Sequence, residues 1–263
     1  MRSVLLINST PSLNNSKSRE LTNHFITAWL SKYPEDKVIE RDIGKNPIPH
    51  LRDSSIEAIN MPQSENIKDN LTRKLSIELI AELKTADVIV IGVPMHNYSI
   101  PSTLKAYFDH IAIEGETWHA DYGKNKSVLV ITTMGGNYLN SSLNFVTPYI
   151  KAYLAEIDLT NITFIAAQGL CKSEEICKAA IVKAKEEIQQ FIDNFMIKDQ
   201  LSFDKQNNKE SAITESNARS PLIKNSLFCT PSVVQYDHRQ IAQQTANNNI
   251  ITDTPLASRI LAL

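Results

Sequence analysis

Val88-Ile89-Val90-Ile91-Gly92-Val93-Pro94-Met95-His96-Asn97-Tyr98-Ser99-Ile100-Pro101 is the stretch from which the fold is read. Its first six residues form an apolar run of strand length, the pattern of a strand buried on both faces. Beyond Pro101, the residues Leu104, Phe108, Ile111 and Ala112 recur at i, i+4, i+7 and i+8, which is one face of a helix. The segment between them, with two prolines, an amide and an aromatic, is then a stiff loop at the carboxyl end of a strand. Ligands of open α/β sheets bind outside that edge. Pro94 and Pro101 would equally punctuate an ordinary strand-to-helix connection, so the neighbouring segments decide between the two readings.

The alternation extends in both directions. Val4-Leu5-Leu6-Ile7 predicts a first buried strand, and a helix over residues 16–33 presents Leu21, Phe25, Ala28 and Trp29 on one face. Residues 37–41 read as a second strand. A polar stretch over about residues 43–61 interrupts the pattern before a helix through Leu71, Leu75, Leu79 and Leu83. The strand at 88–93 is the third, and residues 127–132 are the fourth. Thr147-Pro148 predicts a hydroxyl N-cap followed by proline at the first helical position, for a helix buried through Ile150, Leu154 and Ile157. Residues 162–166 are the fifth strand. The last helix starts after Ser173 with Glu174 and Glu175 at its positive end and buries Ile181, Ala184, Ile188, Phe191 and Phe195. Five strands separated by helices imply a parallel sheet covered on both faces. Right-handed crossovers leave few topologies. The expected fold is an α/β, flavodoxin-like three-layer sandwich with a five-stranded parallel sheet in the order 2-1-3-4-5.

Composition changes near residue 199. All seven glycines precede it, while residues 199–263 are rich in Asn, Gln, Ser and Thr with no sustained apolar period. Such a segment buries too little apolar area to offset its ordering entropy. The expected division is therefore a domain over 1–198 and a polar, disordered extension over 199–263, with Ile260-Leu261-Ala262-Leu263 as a short apolar cluster able to dock. The chain has 42% apolar and 21% charged residues and a formal net charge of −2, which gives no reason to expect nucleic acid or an anionic membrane as a partner. No run approaches the roughly 18 apolar residues of a membrane span, and the first apolar run is too short for a secretion signal. Cys171, Cys177 and Cys229 are odd in number and lack the C-x₂-C spacing. Together these features point to a reducing cytoplasm without disulfides. His119 and Asp121 lack a third ligand in view, so no metal is expected.

In the 2-1-3-4-5 order the loops after the first, third and fourth strands meet at the switch point of the sheet. The first runs Asn8-Ser9-Thr10-Pro11-Ser12-Leu13-Asn14-Asn15-Ser16-Lys17-Ser18 and ends where a helix begins. Free N–H groups and the dipole there favour a phosphate, with hydroxyls from Ser16 and Ser18 and a charge from Lys17. These serines serve equally well as helix caps in a solvated loop. The loop after the fourth strand is Thr133-Met134-Gly135-Gly136-Asn137-Tyr138. Its paired glycines let backbone amides approach a flat ligand, or simply form a tight turn. No G-x-G-x-x-G follows the first strand and no G-x-x-x-x-G-K-[ST] occurs. No G-x-S-x-G elbow occurs either. A phosphate cradle, an Asn-aromatic loop and a Gly-Gly loop on one edge suit a phosphorylated planar cofactor, a description that fits FMN.

Over about residues 1–197 the chain resembles the FMN-dependent NADH-azoreductases, also called NADH:quinone oxidoreductases. The resemblance is carried by Ser16-Lys17-Ser18, Arg41-Asp42 followed by Asn46-Pro47-Ile48-Pro49, Pro94-Met95-His96-Asn97-Tyr98, Leu104-Lys105-Ala106-Tyr107-Phe108-Asp109, Thr133-Met134-Gly135-Gly136 and Val146-Thr147-Pro148-Tyr149. It implies a homodimeric flavoenzyme with two active sites at the dimer interface. By matching position, Ser9 or Thr10 with Ser16, Lys17 and Ser18 would hold the FMN phosphate. Met95, His96, Asn97 and Tyr98 would line the isoalloxazine ring, and Thr133, Met134, Gly135 and Gly136 would meet its pyrimidine edge. Asn97 carries both donor and acceptor groups, as the mixed polar edge of a flavin requires. The redox chemistry belongs to the cofactor, so no catalytic side chain is expected. NADH would donate electrons and a quinone or azo compound would accept them, with ping-pong kinetics. The chain departs from the family pattern in having His96 for Tyr, Tyr98 for Phe, Thr133-Met134 for a frequent Ser-Arg and Tyr138 for His, and the stretch around 118–123 is shorter. Trp118 reads either as a lid over the ring or as a core aromatic.

The leading expectation is an FMN oxidoreductase passing electrons from NADH to quinones and azo compounds. The alternative is a flavodoxin-type electron carrier serving protein partners, against which the modest net charge weighs. A hydrolase on the same fold lacks a nucleophile–base motif.

Overall fold

A computed structural model describes the backbone of residues 1–52, 67–118 and 120–217, and the side chains of 1–52, 71–118 and 120–195. The described elements alternate as β1 (Ser3–Asn8), α1 (Lys17–Lys32), β2 (Lys37–Asp42), α2 (Ile67–Thr85), β3 (Val88–Pro94), α3 (Ser102–Ile111), β4 (Ser127–Met134), α4 (Val146–Glu156), β5 (Ile162–Gln168) and α5 (Glu174–Asn217). The strands form one parallel sheet in the order β2-β1-β3-β4-β5, as the pattern of buried runs and crossovers predicts.

Alternation along the strands divides the core into two layers. Leu5, Ile7, Ile89, Ile91, Val128 and Val130 pack with Leu79, Ile80 and Leu83 of α2, Leu104 and Phe108 of α3, and Ile150 and Leu154 of α4. On the other face, Val4, Leu6, Val88, Val90, Leu129 and Ile131 pack with Leu21, Phe25 and Trp29 of α1 and with Ile181, Ala184, Ile188 and Ile192 of α5. Central strands buried on both faces explain why 88–93 reads as a continuous apolar run. Phe191 and Phe195 pack against the second layer while only partly buried.

Two local expectations differ from the structure. Leu71, placed on the buried face of α2, is exposed; Ile80 takes a core position on that helix instead. Thr147 is not the N-cap of α4, which starts one residue earlier at Val146. The N-cap position is Phe145, and Asn144 just before it serves the first turn: its Oδ1 accepts the Thr147 N–H at 3.2 Å and its Nδ2 donates to Thr147 Oγ1 at 3.2 Å. Helix α5 crosses the composition boundary at 198/199 and continues to Asn217. The body is one compact unit over Met1–Asn208. A second unit covers Lys209–Leu263, of which residues 209–217 are the last turns of α5. Residues 218–263, with Cys229 and the apolar end 260–263, lie outside the described residues, as do His119 and much of the 43–61 polar stretch.

Candidate functional site at the carboxyl edge of the sheet

Strand register brings the three loops together. Asn8, the last residue of β1, is flanked by Asp42 of β2 and Gly92 of β3, and Pro94 at the end of β3 lies beside Thr133 of β4. The Met95 N–H donates to Thr133 O at 2.8 Å, and Thr103 Oγ1 at the start of α3 donates to Ser9 O at 3.0 Å. The Phe145 N–H donates to Tyr98 O at 3.1 Å, and Tyr98 meets Tyr138 edge-to-face with ring centroids 5.7 Å apart.

In the loop after β1, Ser16 is the N-cap of α1, with extended backbone and its hydroxyl accepting the Arg19 N–H at 3.3 Å. A cap of this kind leaves the amides of the first turn aimed out of the helix. Ser16 Oγ lies 3.1 Å from Ser18 Oγ, and Ser18 is buried. The Lys17 ammonium is exposed and pairs with Glu20 at 3.0 Å, and Glu20 also receives Lys185 at 2.8 Å. The hydrogen bond and charge of Glu20 raise the Lys17 pKa, and those of the two lysines outweigh burial to lower that of Glu20. Ser9 is fully buried and its hydroxyl donates to Gly92 O at 2.7 Å. Ser9 is thus committed to joining β1 and β3. Thr10 Oγ1 accepts the Ser12 N–H at 3.3 Å and keeps its own proton to donate.

The loop after β3 is a two-residue turn. His96 and Ser99 exchange both backbone hydrogen bonds at 2.9 Å, and Asn97 and Tyr98 between them have φ of 47° and 70°. Two consecutive left-handed residues match a type I′ turn. Asn tolerates this region better than most residues and Tyr does not, and such strained positions cluster at ligand clamps. His96, Asn97 and Tyr98 are exposed, while Met95 packs against the core.

The Gly-Gly loop differs from its simplest reading. A Cβ on Gly135 would lie 2.8 Å from Cys171 Sγ, and one on Gly136 would lie 2.7 Å from the Tyr138 ring. The faces that the glycines leave bare are therefore filled by the chain's own side chains. Thr133 and Met134 are buried, so what this loop offers a ligand is mainly backbone. The carbonyls of Met134, Gly135 and Gly136 accept from Leu170, Cys171 and Gly169, which tethers the loop to the end of β5.

Sequence reasoning missed the groups beneath these loops. Asn8 is buried, donating to Glu40 at 2.9 Å and accepting from Thr22 at 2.8 Å; a lone amide ending an apolar strand was the available signal. Trp118 packs against the core near Tyr153. Among the described residues, no group of three His, Cys, Asp or Glu is placed to hold a metal ion. No described helix is long and apolar enough to cross a membrane.

A phosphorylated planar group fits this donor set. An N-capped helix start with hydroxyls beside it suits a phosphate dianion, and an amide-bearing turn opposite a backbone-lined loop suits a flat ring with a polar rim. The donors reach the edge from three separate loops.

A family model described as flavodoxin-like fold matches residues 2–192. An FMN-dependent NADH:quinone oxidoreductase of Hydrogenovibrio crunogenus is 39% identical over 199 residues, covering 72% of this chain and 98% of that protein. One from a Nostoc species is 37% identical over 207 residues, covering 74% of this chain and all of that protein. The crystal structure of an FMN-dependent NADH-azoreductase from Bacillus anthracis, in complex with FMN, superposes with a TM-score of 0.66 at 22% identity, over 74% of this chain and 99% of that one. The chain belongs to the flavodoxin-like family that includes the FMN-dependent NADH:quinone oxidoreductases.

Proposed function

We propose that the protein is an FMN-dependent oxidoreductase that takes electrons from NADH and passes them to quinones and azo compounds in alternating half-reactions. The observation that carries the reading is the meeting of a capped helix start, a left-handed Asn-Tyr turn and a backbone-lined Gly-Gly loop on one sheet edge. It is supported by 39% identity to a relative so named.

Thr10, Ser16, Lys17 and Ser18 would hold the phosphate, with Ser9 fixing the strand beneath them. Met95, His96, Asn97 and Tyr98 would flank the ring, and Thr133, Met134, Gly135 and Gly136 would meet its polar edge. When bound, FMN supplies the two-electron chemistry, accepting hydride from NADH and giving electrons to the acceptor. The chain's part is to orient and to stabilise charge. Backbone amides held by the Gly-Gly loop act as preorganised dipoles toward negative charge at the ring edge. Asn97 provides one donor and one acceptor on a turn whose backbone is already fixed. Tyr98 and Tyr138 form an aromatic wall suited to flat acceptors.

A homodimer is part of the proposal. Leu13, Tyr98, Leu139, Leu143 and Phe145 are large, exposed and carried by the loops around the site, as at a surface that a second copy covers. Location in the cytoplasm accompanies the proposal, as does the sufficiency of residues 1–198 for flavin binding. The test is the absorption spectrum of the purified protein, followed by anaerobic bleaching with NADH and reoxidation by menadione. A flavin spectrum that bleaches and recovers is the expected result. Failure to bind FMN after reconstitution overturns the reading, and bleaching without recovery favours an electron carrier.

A further inference from the structure

The loop that starts α1 is held from the β2 side by contacts within the chain. Arg19, in the first turn of α1, meets Asp42 at the end of β2 through both ends of its guanidinium. Nη1 donates to Oδ2 at 2.7 Å and Nη2 to Oδ1 at 3.1 Å. Both side chains are largely buried, at 17% and 14% exposure, so the fork is shielded from the screening that weakens surface pairs. Asp42 Oδ1 also accepts the Lys45 N–H at 3.0 Å, which ties the carboxylate to the turn it begins. Arg19 meanwhile gives its backbone N–H to Ser16 Oγ, and that oxygen lies against Ser18 Oγ. A single residue thereby connects the hydroxyls at the helix start to the end of a neighbouring strand.

The turn after β2 presses on the same loop. The Gly44 N–H donates to Asn8 O at 3.1 Å, and a Cβ at Gly44 would lie 1.8 Å from Thr10 O. Backbone meets backbone there, so only glycine fits. The loop is therefore gripped by Gly92 O through Ser9 on one side and by Asp42 through Arg19 on the other. Amides at a helix start bind an anion well only when their direction is fixed to a fraction of an ångström.

We infer that the Arg19–Asp42 fork is the positioning pair for the phosphate end of the flavin site, acting through the Ser16 cap. This rests on the flavin reading above. The competing role for Arg19 is a plain positive charge near the phosphate, and the two roles differ in sign at Asp42. If only charge matters, neutralising Asp42 strengthens binding of a dianion. If the fork positions the loop, neutralising Asp42 weakens it.

The test titrates FMN and riboflavin into apoprotein by flavin fluorescence, for the wild type, Arg19→Gln and Asp42→Asn. Positioning predicts that both variants lose FMN affinity by about tenfold while riboflavin affinity stays within about twofold, since riboflavin lacks the phosphate. FMN binding by Asp42→Asn that is unchanged or tighter overturns the inference, as does an equal loss for FMN and riboflavin, which would mark a general role in folding. If Asp42→Asn does not fold, Asp42→Glu keeps the charge but displaces the fork, and the same phosphate-selective loss is expected; FMN binding equal to the wild type overturns the inference there too. A wild type that binds FMN no better than riboflavin removes the phosphate reading beneath it, an outcome separate from the other failures.

Discussion

Substituting Asn97 by glycine and, separately, by alanine splits two roles that one residue combines. Asn97 has φ of 47° and Tyr98 follows at 70°, inside a turn closed by two hydrogen bonds of 2.9 Å. Glycine adopts the left-handed region without strain, so Asn97→Gly keeps the turn and removes only the amide. Alanine also removes the amide and keeps the Cβ without the local polar side chain that makes asparagine tolerable at positive φ, a cost of about 1 kcal/mol. In a domain of this size that penalty lowers Tm by about 2–4 °C. Asn97 is exposed, so losing the amide strands no buried partner and Asn97→Gly melts close to the wild type. Binding behaves differently. An amide aimed at the flavin rim leaves polar flavin atoms unpaired when removed, a loss of about 1–3 kcal/mol, which is about 5- to 150-fold in Kd. The assay pairs thermal melting of the apoprotein with FMN titration by fluorescence quenching. Both variants weaken FMN to a similar degree, and only Asn97→Ala loses stability. Wild-type FMN affinity in Asn97→Gly would refute the placement of Asn97 against the ring. A large drop in Tm for that variant would refute the account of the turn.

Three further outcomes are expected. His110 is buried with Nε2 donating to Pro49 O at 2.9 Å and Nδ1 accepting from Ser76 Oγ at 3.0 Å. Burial holds its pKa below the usual 6.5, outweighing the Pro49 hydrogen bond and the charge of Asp109, which both push it up. The unfolded chain then binds a proton near pH 6.5 that the folded chain resists, so the contribution of His110 is complete above that pH and is lost as pH falls below it. Denaturant melts should show a smaller decline between pH 7 and 5 in His110→Gln than in the wild type, and equal slopes would count against this. Ser9→Ala should cost about 1 kcal/mol of stability through its lost bond to Gly92 and leave the preference for FMN over riboflavin unchanged; Ser16→Ala should reduce that preference. Ending the chain at residue 198 should leave a yellow, flavin-binding protein, because Ile181, Ala184, Ile188 and Ile192, the core side chains of α5 among the described residues, precede that point; a colourless product would assign the later residues to the fold.

The functional reading was carried by loop segments whose residue types suit the chemistry, and most of those segments do converge. Ser16, Asn97 and Gly135 lie on three different loops, and their convergence follows from the 2-1-3-4-5 order alone. The individual roles were less legible. Ser9 looked interchangeable with Thr10 as a hydroxyl donor, yet one is committed to Gly92 and the other retains its proton. Gly135 and Gly136 read either as open backbone or as a tight turn, and Cys171 and Tyr138 fill the space their missing side chains leave. Thr147 reads as a cap because it precedes a proline, but Phe145 holds the N-cap position and Asn144 before it receives the Thr147 N–H.

By itself the sequence determined which segments are strands and helices, because apolar periodicity is a local property that each segment displays alone. It also narrowed the order of the sheet to a few topologies, since crossover handedness leaves few ways to connect five parallel strands, and the expected 2-1-3-4-5 is the one observed. Only the tertiary structure decided the partners of the polar side chains. Arg19 meets Asp42, Asn8 meets Glu40 and His110 meets Ser76 across gaps of 23, 32 and 34 residues. Such pairs exist because strand register and helix packing bring distant positions within 3 Å, and no local pattern in the chain encodes that distance.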